Sequence, residues 1–136
     1  MLLAIAALAL SAAASTPAPC QAELVVLGTS QDAGTPQIGH PEDPAWRDPA
    51  LRAWAASLAL VDHASGARYL FDATPDLREQ LEWLDVHDPK RTPGLGIDGI
   101  FLTHAHIGHY AGLMFLGRES ANARGVPVHA MPRMAE

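Results

Sequence analysis

Three histidines directly after a short apolar run are the feature that most constrains how this chain folds. The run GIFLT (residues 99–103) has the length and composition of a buried strand, and His104, His106 and His109 follow it at once. Polar groups gathered at the carboxyl end of a buried strand are typical of sites in α/β proteins. The motif therefore predicts a sheet whose edge carries a site.

The residues after the motif predict a βαβ unit. The segment from Tyr110 to about residue 122 is predicted to be a helix, and VPVHA (residues 126–130) the next strand. A strand, a helix and a strand at this spacing pair in parallel. We therefore expect parallel pairing in this part of the sheet.

The first half of the chain predicts antiparallel strands and one long helix. A strand is expected at residues 23–28, a long loop at 29–49, and a hairpin from residues 57–62 and 68–73 joined by HASGA. Thr74 is a candidate cap for a helix that starts at Pro75 and ends near His87. Its buried stripe would be Leu77, Leu81 and Leu84.

The spacing of the three histidines suits a metal ion. In an extended segment the side chains of His104 and His106 point the same way, and Gly108 would allow a sharp turn that returns His109 to the same point. Imidazole suits zinc first, with iron or manganese as alternatives. The competing interpretation is a polar helix-entry loop satisfied by backbone and water.

The other four histidines divide into two pairs. His63 lies in the hairpin turn and His87 at a helix end, where solvated side chains are expected. His40, in the long loop, and His129, at a strand end, are candidates to face the site.

Composition limits the class of partner. The chain has 136 residues, of which 49% are hydrophobic and 18% charged, so one globular domain is expected. The net charge of −6 and the absence of a Lys/Arg cluster argue against nucleic acid as the main partner. A small-molecule substrate is the remaining expectation.

The amino terminus predicts export. MLLAIAALALSAAA (residues 1–14) is too short to span a bilayer and is followed by small residues suited to signal-peptidase cleavage, after Ala14 or Ala22. A buried amino-terminal helix is the alternative. We therefore divide the chain into a signal peptide with linker at 1–22 and a domain at 23–136, and expect a periplasmic or secreted protein with no stable membrane insertion after cleavage.

Three ordered motifs resemble those of a known family. THAHIGH (residues 103–109) is similar to the His-x-His-x-Asp-His signature of the metallo-β-lactamase superfamily, with Gly108 in place of the aspartate. Together with LGTSQDAGTPQ (27–37) and FDATPDLREQL (71–81), it resembles most the relatives of pyrroloquinoline quinone biosynthesis protein B. The resemblance extends over nearly all of residues 24–131.

The resemblance implies an αββα sandwich with a metal site between its two sheets. The residues matching His104 and His106 bind a first ion in such proteins, and the residue matching His109 binds a second. Asp72 matches a position near the metal, where it would accept a hydrogen bond from a ligand histidine. A carboxylate at the entry of the helix is the alternative role for Asp72.

The chain departs from the family pattern in four ways. Gly108 provides neither ligand nor base, and the cysteines that relatives carry after the glycine-rich loop are absent. An export signal is unexpected for a biosynthetic enzyme of the cytoplasm. The family domain is about twice as long, so we expect a fragment with only the amino-terminal half of the sandwich, and self-association through its uncovered sheet face.

Three functions follow from these observations. The first is an exported, metal-dependent hydrolase of unknown substrate, with zinc as the expected cofactor. The second is an oxidative enzyme similar to the quinone biosynthesis protein, in which a redox-active metal works without the aspartate. The third is a non-catalytic remnant of the fold. The catalytic residues themselves are not identified by the sequence.

Overall fold

A computed structural model of the chain describes residues 20–31, 33–89 and 94–136. The predicted signal peptide therefore lies outside the described residues, apart from the last residues of the linker. Within this part the strands are β1 (Ala22–Gly28), β2 (Ser57–Asp62), β3 (Arg68–Phe71), β4 (Gly99–Phe101) and β5 (Val128–His129). The α-helices are α1 (Leu77–His87), α2 (Ile107–Tyr110) and α3 (Pro132–Ala135), and 3₁₀ helices occupy Pro44–Trp46, Pro49–Leu51 and Ala111–Leu116.

The five strands form one mixed sheet in the order β1-β2-β3-β4-β5. The first three are antiparallel neighbours, while β3, β4 and β5 pair in parallel. The predicted hairpin and the predicted βαβ pairing are therefore both confirmed. Because β3 and β4 run in parallel, their carboxyl ends meet at the same edge of the sheet.

One face of the sheet is buried against α1. Along β1, β2 and β3, alternate side chains point to this face, as expected for half-buried strands. Leu77 and Leu84 of the predicted helical stripe are buried and Leu81 is partly buried, so the stripe is confirmed. The sheet contributes Val25, Leu27, Ala59, Val61, Leu70 and Ile100.

The start of α1 differs from the prediction because Thr74 acts before the helix rather than as its cap. Its hydroxyl accepts a hydrogen bond from the Asp76 backbone N–H (3.1 Å) and donates one to the buried Gln80 side chain (2.8 Å). The amide of Gln80 donates in turn to the carbonyl of Ala55 (2.8 Å). The helix therefore begins at Leu77, two residues after Pro75, and ends at His87 as predicted.

The helix predicted from Tyr110 to residue 122 is wrong in its position and its length. α2 begins at Ile107, inside the histidine motif, and the chain tightens to a 3₁₀ helix that ends at Leu116. Gly112 explains the tightening: a Cβ there would lie 2.1 Å from the carbonyl oxygen of Thr74, so only glycine permits this close approach.

The opposite face of the sheet exposes apolar side chains in the described part of the chain. Leu24 and Val26 of β1 are 61% and 56% exposed, and Leu58 of β2 is also exposed. Aromatic rings continue this outer face across β3 to β5, where Phe101 contacts the rings of Tyr69, Phe71 and His129. An apolar face of this kind is what a second layer covers in a sandwich.

Two further observations concern the amino-terminal prediction and membranes. β1 begins at Ala22, so the predicted boundary between linker and domain lies one residue inside the strand. Among the described residues, no helix has both the length and the apolar character needed to cross a bilayer.

Candidate metal centre

The site lies where β3 and β4 end side by side. Asp72 directly follows β3, and its backbone N–H donates to the carbonyl of Phe101 in β4 (2.8 Å). The φ angle of Asp72 is +71°, a left-handed conformation that few non-glycine residues adopt and that is found repeatedly at functional sites. This conformation aims the buried carboxylate across the end of β4 rather than along its own strand.

The Asp72 carboxylate binds two residues of the histidine motif. It accepts hydrogen bonds from the backbone N–H of Thr103 (2.8 Å) and from the Thr103 hydroxyl (2.9 Å). It also accepts one from Nδ1 of His109 (2.8 Å). A carboxylate on Nδ1 fixes the ring orientation and leaves Nε2 as the nitrogen with the lone pair. Asp72 therefore makes the contact expected of it, while its role beside a metal stays a prediction.

Thr103 connects Asp72 to a second imidazole ring, that of His104. Its Oγ1 lies 2.9 Å from Nδ1 of His104. A hydroxyl has one proton, and when Thr103 gives it to the carboxylate, Nδ1 of His104 must be the donor to Oγ1. His104 then also presents Nε2 as its acceptor. We did not single out Thr103 from the sequence, because the contact depends on β3 lying beside β4.

The three imidazoles of the motif lie together. Ring centroids are 4.6 Å apart for His104 and His106, and 4.0 Å apart for His104 and His109. The ring of His109 is brought back by α2 itself, since His106 is the N-cap and His109 follows one turn later.

The sharp turn predicted at Gly108 is therefore wrong. Gly108 lies within α2 and has no positive φ, so an ordinary helical turn produces the proximity. The glycine is thus not required by the backbone conformation. Gly108 matters because it occupies the position at which the superfamily signature has an aspartate.

The donor set fits a borderline divalent ion in its chemistry. Two of the rings have Nδ1 engaged by hydrogen bonds, which is the state in which imidazole binds zinc through Nε2. In the described part of the chain, however, no group of three or more His, Cys, Asp or Glu side chains is already arranged around one point. The ligand set of His104, His106 and His109 therefore stays a prediction.

An open pocket of about 530 Å³ adjoins His106. The long loop after β1 forms one side and the start of α2 the other. The long loop predicted at 29–49 therefore contributes to this pocket beside His106. The lining residues are Ala33, Gln37, Ile38, Ala105, His106, Ile107 and Tyr110.

The two histidines proposed as additional site candidates make their described contacts elsewhere. His40 is exposed and pairs with Glu42 (3.2 Å). The ring of His129 stacks on Phe101 at 4.6 Å on the outer face of the sheet. Neither ring contacts the imidazoles of the motif in any interaction that the structure describes.

His63 and His87 lie at the surface, as expected, and share one carboxylate. Glu23 accepts from Nε2 of His87 (2.9 Å) and is 3.2 Å from Nε2 of His63. The hydrogen bond from His87 is the largest cause that lowers the pKa of Glu23 below its usual value, with His63 adding to it. The cluster joins β1 to the hairpin turn and to the end of α1.

Comparison with known proteins decides the family. The profile described as "Beta-lactamase superfamily domain" matches residues 67–136, a segment that contains Asp72 and the whole histidine motif. The chain belongs to this superfamily. The metallo-β-lactamase fold and the mixed α/β class predicted from the motifs are thereby confirmed.

Individual relatives point to the same branch of the superfamily. "Coenzyme PQQ synthesis protein B" of Rhizobium meliloti is 32% identical over 102 residues, which cover 72% of this chain and 34% of that protein. The predicted similarity to this group is thus also confirmed.

Two solved structures share the fold. A structure titled as a new diphosphatase from the PhnP family has a TM-score of 0.58 and 28% identity, covering 84% of this chain and 43% of that one. Zinc-bound PqqB from Methylobacterium extorquens has a TM-score of 0.61 and 24% identity, with 82% and 40% covered. This chain therefore spans between one third and under one half of the length of the proteins it matches.

Proposed function

We propose that this chain is part of an exported metal-dependent hydrolase of the metallo-β-lactamase fold, with zinc as its resident ion. One observation carries the proposal: a single buried carboxylate, Asp72, organises two of three neighbouring imidazoles at the end of β4. Hydrogen bonds to Nδ1 leave Nε2 of these rings available to coordinate a metal. The zinc-bound relative of the same fold supports the choice of metal.

The residues of the site would have different roles around the ion. His104 and His106 would hold a first ion and His109 a second, all through Nε2. A bound zinc ion lowers the pKa of a coordinated water toward neutrality and so supplies the nucleophile for hydrolysis. Asp72 holds the proton on Nδ1 of His109 and, through Thr103, on Nδ1 of His104. Gly108 has no side chain to orient or deprotonate a water, so that group must come from another part of the complete site.

Export is the second element of the proposal. It is supported by the apolar run of residues 1–14 and the small residues after it. Expression of the complete gene, followed by amino-terminal sequencing of the protein in the periplasm and the medium, tests it. Recovery of the whole protein in the cytoplasm with Met1 intact would refute this element alone.

Metal content tests the main proposal. The complete protein, purified without metal-binding tags, should bind zinc, as measured by mass spectrometry of the metal, and its His104→Ala/His106→Ala variant should lose it. A His63→Ala/His87→Ala variant removes two surface histidines instead and should keep the metal. A protein that binds no transition metal in zinc-supplemented medium would end the proposal.

An oxidative enzyme is the second candidate. Two observations favour it: Gly108 replaces the carboxylate that hydrolysis would use, and a protein named as a coenzyme PQQ synthesis protein is among the relatives. A redox-active metal on imidazoles does not need that carboxylate. Iron rather than zinc in the purified protein, with oxygen uptake on a candidate substrate, would select this function.

A non-catalytic remnant is the third candidate, and Gly108 offers its test. Because Gly108 lies within α2 and has no positive φ, an aspartate at this position needs no left-handed backbone conformation. New hydrolytic activity in Gly108→Asp, with none in the parent, would show that the parent is a decayed enzyme. Equal activity in both would show that the aspartate is dispensable.

A further inference from the structure

The residues that line the pocket beside His106 restrict which chemical groups of a substrate can bind there. We propose that it accepts an uncharged apolar group of the substrate, such as the acyl chain of a carboxylic ester or lactone, and not a group that ends in a carboxylate or a phosphate. This inference rests on the hydrolase function proposed above and concerns the group that lies next to the histidines.

Charge is the first argument. No Lys, Arg, Asp or Glu is among the described residues that line the pocket. Of the arginines in and directly after its loop, Arg47 is exposed and is not among the lining residues, and Arg52 donates to the carbonyl of Ala45 (3.2 Å). A carboxylate held in this pocket, away from the ion proposed at His106, would lose hydration without a cationic partner among the described lining residues, which is unfavourable.

Exposed apolar area is the second argument. Ile38 of the loop and Ile107 of α2 both line the pocket and are 92% and 65% exposed. Ligand sites are mostly apolar with a few polar groups that fix orientation. Gln37 and Tyr110 supply such groups here, so an acyl chain would cover the two isoleucines while its polar end lies toward His106.

The implied reaction balances without any redox partner. The oxygen of water bonds to the carbonyl carbon, the bond between that carbon and the alcohol oxygen breaks, and the proton from water passes to the departing alkoxide. The products are a carboxylic acid and an alcohol.

A binding experiment on the metal-free complete protein tests the pocket without any turnover. Two anilides of similar length are compared by equilibrium dialysis: N-(4-nitrophenyl)butyramide, which is neutral, and N-(4-nitrophenyl)succinamate, which ends in a carboxylate. We expect the neutral anilide to bind at least about tenfold more tightly.

Two variants locate the effect. Ile38→Lys places a cation at a fully accessible pocket position, so it should weaken the neutral anilide and strengthen the carboxylate. Val86→Lys makes the same kind of change on the exposed face of α1, away from the pocket, and should change neither. Tighter binding of the carboxylate by the parent, equal binding of both anilides, or no response to Ile38→Lys would overturn the inference.

Turnover by the zinc-loaded complete protein, expressed from the complete gene, separates the two proposals. Preference for 4-nitrophenyl butyrate over bis(4-nitrophenyl) phosphate supports both. Faster cleavage of the phosphodiester overturns the substrate class while leaving the hydrolase. Absence of turnover on either compound, with selective binding of the neutral anilide intact, refutes the hydrolase but upholds the preference of the pocket for neutral groups.

Discussion

Asp72 shows how much of the site depends on one backbone angle. Its left-handed conformation at the end of β3 turns a carboxylate toward the next strand, where it meets Thr103 and His109. Aspartate tolerates this conformation better than most residues because its short polar side chain bonds locally. One residue thus ends a strand, joins two strands and orients two imidazoles.

Replacing Asp72 by Asn tests the carboxylate without disturbing the backbone. Asparagine adopts the left-handed conformation readily, so the fold should persist. The loss of a charged acceptor for Nδ1 of His109 should lower zinc affinity by about 10- to 100-fold. Competition with a chromophoric chelator measures this affinity.

The matched control is Glu42→Gln, which removes an exposed carboxylate from another histidine. It should leave zinc affinity unchanged. If Asp72→Asn binds zinc as well as the parent does, the carboxylate does not act through the histidines.

Thr103 is predicted to set the tautomer of His104. Thr103→Val removes Oγ1 and keeps the shape, while Thr103→Ser keeps the hydroxyl. Nitrogen-15 chemical shifts of the His104 ring in the metal-free chain should show Nδ1–H in the parent and in Thr103→Ser, and loss of that preference in Thr103→Val. Zinc affinity should fall only in the valine variant. An unchanged ring spectrum in Thr103→Val would contradict the role of Thr103.

At the scale of elements, the segment after the motif is held by close packing against the β3–α1 connection. The backbone N–H of Gly112 donates to the carbonyl of Ala73 (2.8 Å), and that of Ala73 donates to the carbonyl of His109 (2.9 Å). These bonds fix α2 and its 3₁₀ extension against the residue that follows Asp72. The short helix is therefore positioned by contacts rather than by its own length, since four residues are too few for an independent helix.

Gly112→Ala should break this contact. Its Cβ would lie 2.1 Å from the carbonyl oxygen of Thr74 and 2.9 Å from that of Ala73, so the segment must move away. We expect a loss of about 1–3 kcal/mol in the free energy of unfolding, measured by urea denaturation. Gly117→Ala is the control, because its closest neighbour, the carbonyl oxygen of Met114, is 3.1 Å away at an exposed position. Equal losses in the free energy of unfolding of the two variants would show that the close approach of Gly112 to Thr74 is not important for stability.

At the scale of the whole molecule, the outer face of the sheet is the dominant feature. Leu24, Val26 and Leu58 lie exposed beside the aromatic row of β3 and β4. Monomers rarely present a continuous apolar surface of this kind to water. The 136-residue chain as it stands is therefore predicted to associate with itself or to fold poorly.

Sedimentation velocity tests this prediction. The parent chain should sediment as oligomers, and Leu24→Thr/Val26→Thr should shift the distribution toward monomer, since threonine keeps the preference for strand. Val86→Thr removes an exposed apolar residue from α1 and should have no effect. A parent that is monomeric and unfolds in one sharp cooperative transition would refute the prediction.

The features that the sequence predicts well are set by local interactions, and those that it misses depend on contacts between distant segments. β2, the hairpin and the end of α1 at His87 were predicted closely because alternation and helical spacing are local signals. The start of α1 and the extent of α2 were not, because Gln80 bonding to Ala55 and Gly112 packing on Thr74 are contacts between distant segments.

The sequence by itself determined the family, the mixed sheet and the place of the histidines at the end of a buried strand. These follow from motif order and from periodicities that the chain carries along its own length. Only the tertiary structure decided how the histidines are held: the carboxylate of Asp72, the relay through Thr103 and the turn made by α2 rather than by Gly108. The physical reason is that tautomers and ring positions depend on hydrogen bonds between β3 and β4, which exist only once the two strands lie side by side.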